Sequence, residues 1–404
     1  MRIGILTYHR SINNGAVMQC YSLAKRVQQE FPNAQVEVID YHLPKIAAGY
    51  EPSLKQHLKG LRPPQKVKRL LSLAKYPGKL KAEKKRKQAF ESVLANLPLS
   101  PDCIFEDGTE KVFAYIQERY DIVIAGSDAI WNYTGRGFPN AYFLDDKLSC
   151  RKLSYAASCY GMSYEQIPQE HKQAFRRILS SYDFLGVRDG ESEKFLEHIG
   201  VGSRGVHTCD PTVFLDVNDL PISEEELKEK LRKKGFDFEK PAIGIMGTER
   251  LCKMVRRFYA DKYQLVGLYN YYKETDVNLY DLTPYEWAYV FRYFKLTFTT
   301  YFHGTMLSLR NGTPVICLAL ETEYSKNHMT KVEDVLRRVG LQDCYFHTDY
   351  LQQNVQKIRE KADELLQTQS RQEIIEKMDI EAQSAQPFIE ALRILIDKEK
   401  TEND

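Results

Sequence analysis

Several features that would fix a function quickly are missing from the sequence, and each gap excludes something. No uninterrupted apolar run reaches about 18 residues, so no transmembrane helix is expected. The opening MRIGILTYHR is apolar over too short a stretch for a signal peptide and reads as a first strand. The 8 cysteines contain no CxxC pair and lie scattered through apolar segments, which excludes the usual zinc spacings and a disulfide framework. That usage predicts reduced thiols in a cytoplasmic protein. No DxD element stands out, and the sequence assigns no metal ligands while leaving a metal requirement open. Charge is balanced, with 57 Lys and Arg against 55 Asp and Glu, so no global preference for nucleic acid or for acidic partners follows. The phosphate fingerprint GxGxxG is absent from the first strand–helix loop, where HRSINNG stands instead.

What is present is an alternation of short apolar strands with amphipathic helices over 404 residues, more than one core usually serves. Arg2 to Tyr8 reads as a strand, Ala16 to Phe31 as a helix, and Gln35 to Tyr41 as a second strand, a βαβ opening. Asn14 and Gly15, in the loop before that helix, serve either a tight turn or the wall of a cleft. Strand 120–125 runs into Gly126-Ser127-Asp128, again a glycine with polar residues at a strand's C-terminal end. Strand 184–187 ends in Arg188-Asp189, and Asp210-Pro211 follows a further strand near 206–209. After a charged linker at 223–240, a second α/β series begins at 241. It leads to LTFTTYFHGTMLSLRNGTPVICLAL (296–320), read as strand, turn, helix, turn, strand, with His303 at the first turn. Ligands of open α/β sheets bind outside the carboxyl ends of the strands, where helix N-termini offer free N–H groups to anions. Residues 351–398 read as long charged helices packing back across both halves.

The expected architecture is therefore α/β, two Rossmann-like domains facing a cleft. The first spans 1–222 with an insertion at 53–88, the second 240–350, and a helical segment at 351–404 returns across both. The insertion carries thirteen Lys and Arg against one acidic residue, Glu83. Two readings stand side by side: solvated helices held to the domain by leucines such as Leu58 and Leu70 and by Phe90, or an arm resting on an anionic membrane at the inner face. Nucleic acid fits it poorly, because no aromatics interleave with the charge.

Six stretches, taken in order, resemble the polysaccharide pyruvyl transferase family: ILTYHRSINNGAVMQCYSL from residue 5, IAGSDAIWN (124–132), SYAAS (154–158), GVRDGES (186–192), CDPTVFLD (209–216) and TTYFHGTMLSLRNGTPVICL (299–318). The resemblance implies a fold similar to the two-domain glycosyltransferases called GT-B. It implies transfer of the enolpyruvyl group of phosphoenolpyruvate onto a sugar as a cyclic ketal, with release of phosphate. No cofactor beyond that donor is implied. The acceptor would be a sugar of a cell-envelope or exopolysaccharide precursor, carried on a lipid or a nucleotide. By the same resemblance His303 is the acid/base or a phosphate contact, Arg188 grips phosphate or carboxylate, and Asp210 orients a cation or serves its turn. Ser127, Asp128, Gly304, Thr305 and Lys331 join them as substrate contacts. The chain departs from the family pattern at one place: many members carry arginine two residues before the histidine, where Tyr301 stands here. A phenol donates one hydrogen bond but supplies no charge. Lys331, Arg310 or Arg188 could take over the phosphate. Rival readings are a glycosyltransferase using a nucleotide sugar, with Glu321 and Glu323 on its ribose, and a non-catalytic member of an envelope-biosynthesis complex.

Overall fold

The computed structural model describes residues 1–43, 62–67, 78–134, 137–319, 324–347, 351–368 and 370–403, with 58, 70 and 322 besides. The chain opens with β1 (Arg2–Leu6), α1 (Asn14–Glu30) and β2 (Gln35–Val38). Next come β3 (Tyr41–His42), α2 (Gly78–Leu94), β4 (Ile104–Phe105), α3 (Glu110–Arg119) and β5 (Ile122–Ala125). The first half continues through β6 (Arg151–Ala157), α4 (Gln169–Ser180), β7 (Phe184–Val187), α5 (Gly190–His198) and β8 (Gly205–His207). Among the described residues these strands make a six-stranded sheet in the order β2-β1-β5-β6-β7-β8 and a small β3-β4 pair. Every pairing in the large sheet is parallel, with Ile5 facing Val38 on one side and Ile124 on the other. Parallel strands covered by helices on both faces read as continuous apolar runs, and the four residues of β5 (IVIA) are all buried.

The second half starts with α6 (Glu224–Lys233), followed by β9 (Ala242–Met246), α7 (Glu249–Tyr259), β10 (Gln264–Leu268), β11 (Val277–Leu279) and α8 (Pro284–Val290). Then come β12 (Phe294–Thr299), α9 (Phe302–Arg310), β13 (Val315–Ala319), α10 (Lys331–Arg338) and β14 (Tyr345–His347). These strands form a second parallel six-stranded sheet, ordered β11-β10-β9-β12-β13-β14. Helices α11 (Leu351–Thr368), α12 (Arg371–Ala382) and α13 (Gln386–Asn403) complete the described chain.

The terminal helices tie the halves together. Helix α11 packs beside β12 in the second sheet, α12 lies on α9, and α13 reaches β7 in the first. The ring of Phe388 on α13 meets Tyr155 of β6 at 4.7 Å. One apolar cluster runs unbroken from Ile3 and Val17 through Phe298 to Phe388. A second, around Trp131, Phe143, Phe175 and Phe195, fills the other face of the first sheet. The return of the terminal segment across both halves is as the sequence predicts.

Some elements differ from expectation. Residues 223–240 are not an open linker: Ser223 accepts from the Glu226 amide and starts α6. The strands β11 and β14, three residues each, are too short to leave a periodic signal. Nearly half of the basic segment 53–88 lies outside the described residues. Its described C-terminal part is α2, which packs by the buried Phe90 and Val93 and lies beside α8 of the second half. Glu321 and Glu323 also lie outside the described residues.

Candidate active site

The C-terminal ends of β1, β5, β7 and β12 bring the candidate residues together. Arg188 leaves β7 and is only 4% exposed. Its Nη1 donates to Asp210 Oδ2 at 3.1 Å, and Asp128 and Asp189 stand 3.9 Å away. The carboxylate that meets it is thus Asp210, from a distant turn, rather than its neighbours in sequence. Asp189 is occupied in capping α5 by accepting from the Ser192 amide, and Glu191 faces His328 and Lys194. Burial works against the Arg188 charge, but Asp210, Asp128 and Asp189 outweigh it and raise its pKa above the ordinary arginine value.

Asp210 divides its two oxygens between a turn and the cleft. Its Oδ1 accepts from the Thr212 amide and hydroxyl, which holds the turn, and its Oδ2 faces Arg188 and His303. Burial alone would raise its pKa; His303, Arg188 and Thr212 override that and hold the carboxyl well below the usual carboxylate range. Asp128 is shifted the same way, burial being outweighed by the charges of Lys331, Arg188 and His303. It sits at φ +85°, a conformation that costs a non-glycine residue about 1 kcal/mol or more.

His303 lies in the first turn of α9, with Nε2 3.6 Å from Asp210 Oδ2. Its other nitrogen faces the opposite wall. A Cβ on Gly15 would fall 2.0 Å from His303 Nδ1, so only glycine lets α1 approach the imidazole. Asn14 and Gly15 are therefore not in a loop: Asn13 caps α1 and both sit, buried, in its first turn. Gly304 has a similar packing role, because a Cβ there would lie 2.5 Å from Thr299 Oγ1. Thr305 is fully buried, with its hydroxyl against the Tyr301 carbonyl and the Cys317 sulfur. It buttresses α9 and does not line the cleft.

Lys331, at the start of α10, places its ammonium 5.0 Å from the Phe302 ring centre and 5.4 Å from that of Tyr160. Burial, then the Arg188 charge, pushes its pKa below the ordinary lysine value, against the pull of Asp128, Asp210 and Asp189. Arg188 lies over the same Phe302 ring at 4.9 Å, so one aromatic ring spaces two cations. Arg310 cannot serve as a phosphate ligand: it donates to the Leu215 carbonyl and pairs with Asp379, both at 2.7 Å. Tyr301 is 36% exposed and makes no side-chain cap to α9; its hydroxyl accepts from Asn270 Nδ2 at 3.1 Å.

Among the described residues, several buried polar atoms at this edge have no hydrogen-bond partner: Arg188 Nε and Nη2, His303 Nε2, Ser127 Oγ, Asn14 Oδ1 and Gln19 Nε2. Buried polar groups are nearly always satisfied, so a cluster of unsatisfied ones marks a place for a polar ligand. Sequence reasoning missed Gln19, whose Oε1 lies 3.5 Å from Arg188 Nη1, and the spacer role of Phe302. Gln19 stands four residues beyond Gly15 on α1, a helical repeat that could have flagged it. No group of three or more metal-ligating side chains occurs among the described residues.

Two parallel α/β sheets meeting across a cleft, tied by a returning helix, define a GT-B fold. Solved structures agree. A putative UDP-N-acetylglucosamine 2-epimerase from Listeria monocytogenes superposes with TM-score 0.55 at 12% identity, over 98% of this chain and 97% of its own. The UDP-GlcNAc 2-epimerase of Neisseria meningitidis, bound to UDP-GlcNAc, gives 0.54 at 11% identity over 97% and 99%. Such likeness concerns the fold alone. No curated protein matches the chain. The chain belongs to the polysaccharide pyruvyl transferase family, whose model matches residues 13–322. It is a transferase that modifies polysaccharide. Among the described residues no helix is long and apolar enough to cross a membrane.

Proposed function

We propose that this protein moves the enolpyruvyl group of phosphoenolpyruvate onto two hydroxyls of a sugar in an envelope or exopolysaccharide precursor, forming a cyclic ketal and releasing phosphate. The observation that supports this best is the set of buried, unpartnered donors on Arg188, His303 and Ser127, beside the first turn of α9. Phosphoenolpyruvate is small and carries a phosphate and a carboxylate, so it suits a site rich in fixed cations and free N–H groups. Arg188 has a free edge for one anionic group and Lys331 supplies a second charge. The chemistry needs a proton delivered to the methylene carbon, which becomes the methyl group. One sugar hydroxyl then adds to the adjacent carbon and loses its proton. The second hydroxyl closes the ring as the phosphate oxygen departs. His303, facing Asp210 on one side and confined by Gly15 on the other, is placed for proton transfer.

The test is thermal: phosphoenolpyruvate should raise the melting temperature by mass action, and a panel of nucleotide sugars should not do so alone. Phosphate release with a diol-bearing sugar acceptor should follow. Stabilisation by a nucleotide sugar with none by phosphoenolpyruvate would replace this reading with glycosyl transfer. The acceptor is proposed to be lipid- or nucleotide-linked. Contact of the basic segment with an anionic membrane is tested by liposome binding before and after Lys/Arg→Gln changes at 81–87.

A further inference from the structure

Helix α2 sends one of its basic side chains into the second half of the molecule. Arg86 is half-buried there, with its guanidinium over the Tyr269 ring at 4.4 Å. Its Nη1 donates to the Tyr269 carbonyl at 3.1 Å and to Asn270 Oδ1 at 3.0 Å. Asn270 in turn donates from Nδ2 to the Tyr301 hydroxyl. Tyr269 and Asn270 follow β10, and Tyr301 follows β12, so Arg86 stands at the sheet edge that carries His303. Its neighbours on α2 are neutralised: Lys85 lies 3.7 Å from Asp281 and Lys87 3.7 Å from Glu91. Arg86 meets no carboxylate among the described residues, and its Nε is buried without a hydrogen-bond partner. A guanidinium held by stacking and two acceptors, with a free donor and no counter-charge, is preorganised for an anion.

We propose that Arg86 is a ligand for the donor's phosphate or carboxylate. It supplies from α2 the positive charge that Tyr301 lacks at the start of α9. Arg188 and Lys331 then grip the anion from the first half of the molecule and from α10, and Arg86 from the wall above β10. The chain of contacts Arg86–Asn270–Tyr301 carries the position of the guanidinium to the first turn of α9 and fixes Tyr269, whose hydroxyl donates to the Ile12 carbonyl in the loop before α1. The identity of the anion rests on the pyruvyl-transfer reading; the placement of Arg86 does not.

The experiment measures binding of phosphoenolpyruvate and of inorganic phosphate to the full chain by calorimetry. Arg86→Ala should weaken phosphoenolpyruvate about tenfold or more, the scale of one charge-assisted hydrogen bond. Arg86→Lys, which keeps the charge and the fold but loses the fork, should weaken it less. Lys84→Ala, exposed on the same helix, should leave it unchanged. Added methylguanidine should restore binding to the alanine variant. Unaltered affinity for both ligands in Arg86→Ala and Arg86→Lys would overturn the proposal, and so would an equal loss in Lys84→Ala, which would reduce Arg86 to part of a diffuse field. Wild-type protein that binds phosphate but not phosphoenolpyruvate, with phosphate affinity lost in Arg86→Ala, would support Arg86 and sink the pyruvyl reading. Phosphoenolpyruvate binding that is equal in wild type and both Arg86 variants would do the reverse. Wild-type protein that binds neither ligand would overturn both.

Discussion

Asp210 balances Arg188 and faces His303, and replacing it by asparagine separates those tasks. The amide oxygen can still accept from Thr212, so the turn survives. What disappears is a negative charge 3.1 Å from a buried guanidinium and 3.6 Å from an imidazole. Stranding a buried cation outright costs about 3–5 kcal/mol. Asp128 and Asp189 remain 3.9 Å away, so about 1–2 kcal/mol is expected here. For a chain of this length that is a fall in melting temperature of about 1–3 °C. Anion binding should move the other way. A unit charge about 5–8 Å from a bound anion is worth about 2–3 kcal/mol at an effective dielectric of about 20. Solvent in the cleft should reduce that, leaving phosphate bound about tenfold more tightly. Turnover should drop about a hundredfold, because His303 loses the carboxylate that orients it. The assays are calorimetric titration with inorganic phosphate, and phosphate release under turnover. A variant that binds phosphate more weakly than wild type, or that turns over normally, would refute the charge balance derived for the site.

Other outcomes follow from the same geometry. His303→Ala should abolish phosphate release while leaving circular dichroism unchanged; unchanged turnover would remove the imidazole from the mechanism. Gly15→Ala puts a methyl where His303 Nδ1 stands and should cut turnover about a hundredfold through misplacement, with the fold retained; normal kinetics would show that the wall yields. Phosphate affinity should fall as pH rises through the Lys331 pKa, sooner than an ordinary lysine would allow, since burial lowers that pKa. Lys331→Arg should move the fall to higher pH, and identical profiles would exclude the ammonium from binding. In acid, the folded-state pKa of Asp210 lies below its unfolded value, so its stabilisation is present above about pH 4 and lost as pH falls through the folded value. Asp210→Asn should flatten the acid limb of a stability–pH curve, and an unaltered limb would contradict the shift.

The fold was largely legible because its strands are buried on both faces and read as short apolar runs between helical repeats. The signal failed where tertiary context decided. The stretch 223–240 looked like charge alone, yet EEELKEKLRK has acids in its first turn and bases in its last, after a serine cap, which is a helix written in electrostatics. The site was legible where residues end strands, as with Arg188 and His303, since those positions converge in any open α/β sheet. Its closure was not. The contact between Gly15 and His303 joins positions 288 residues apart, and the Arg86 carbonyl contact joins positions 183 apart. Neither leaves a local pattern.

The imidazole of His303 belongs to the second half of the molecule, while the carboxylate that orients it and the glycine that confines it belong to the first. Neither half alone contains the working group. Other bonds cross the same seam, among them His328 to Glu191 at 2.6 Å and the Gly190 amide to Asp334 at 3.3 Å. A motion that parted the halves at that seam would separate His303 from both partners at once. If His303 is the acid/base of the proposed transfer, competence belongs to the two halves together, and a substrate that bridges them would bring its own chemistry into place. Under the proposed transfer, water in a cleft whose halves had parted would meet the donor without an acid in place, so the geometry would suppress wasteful hydrolysis.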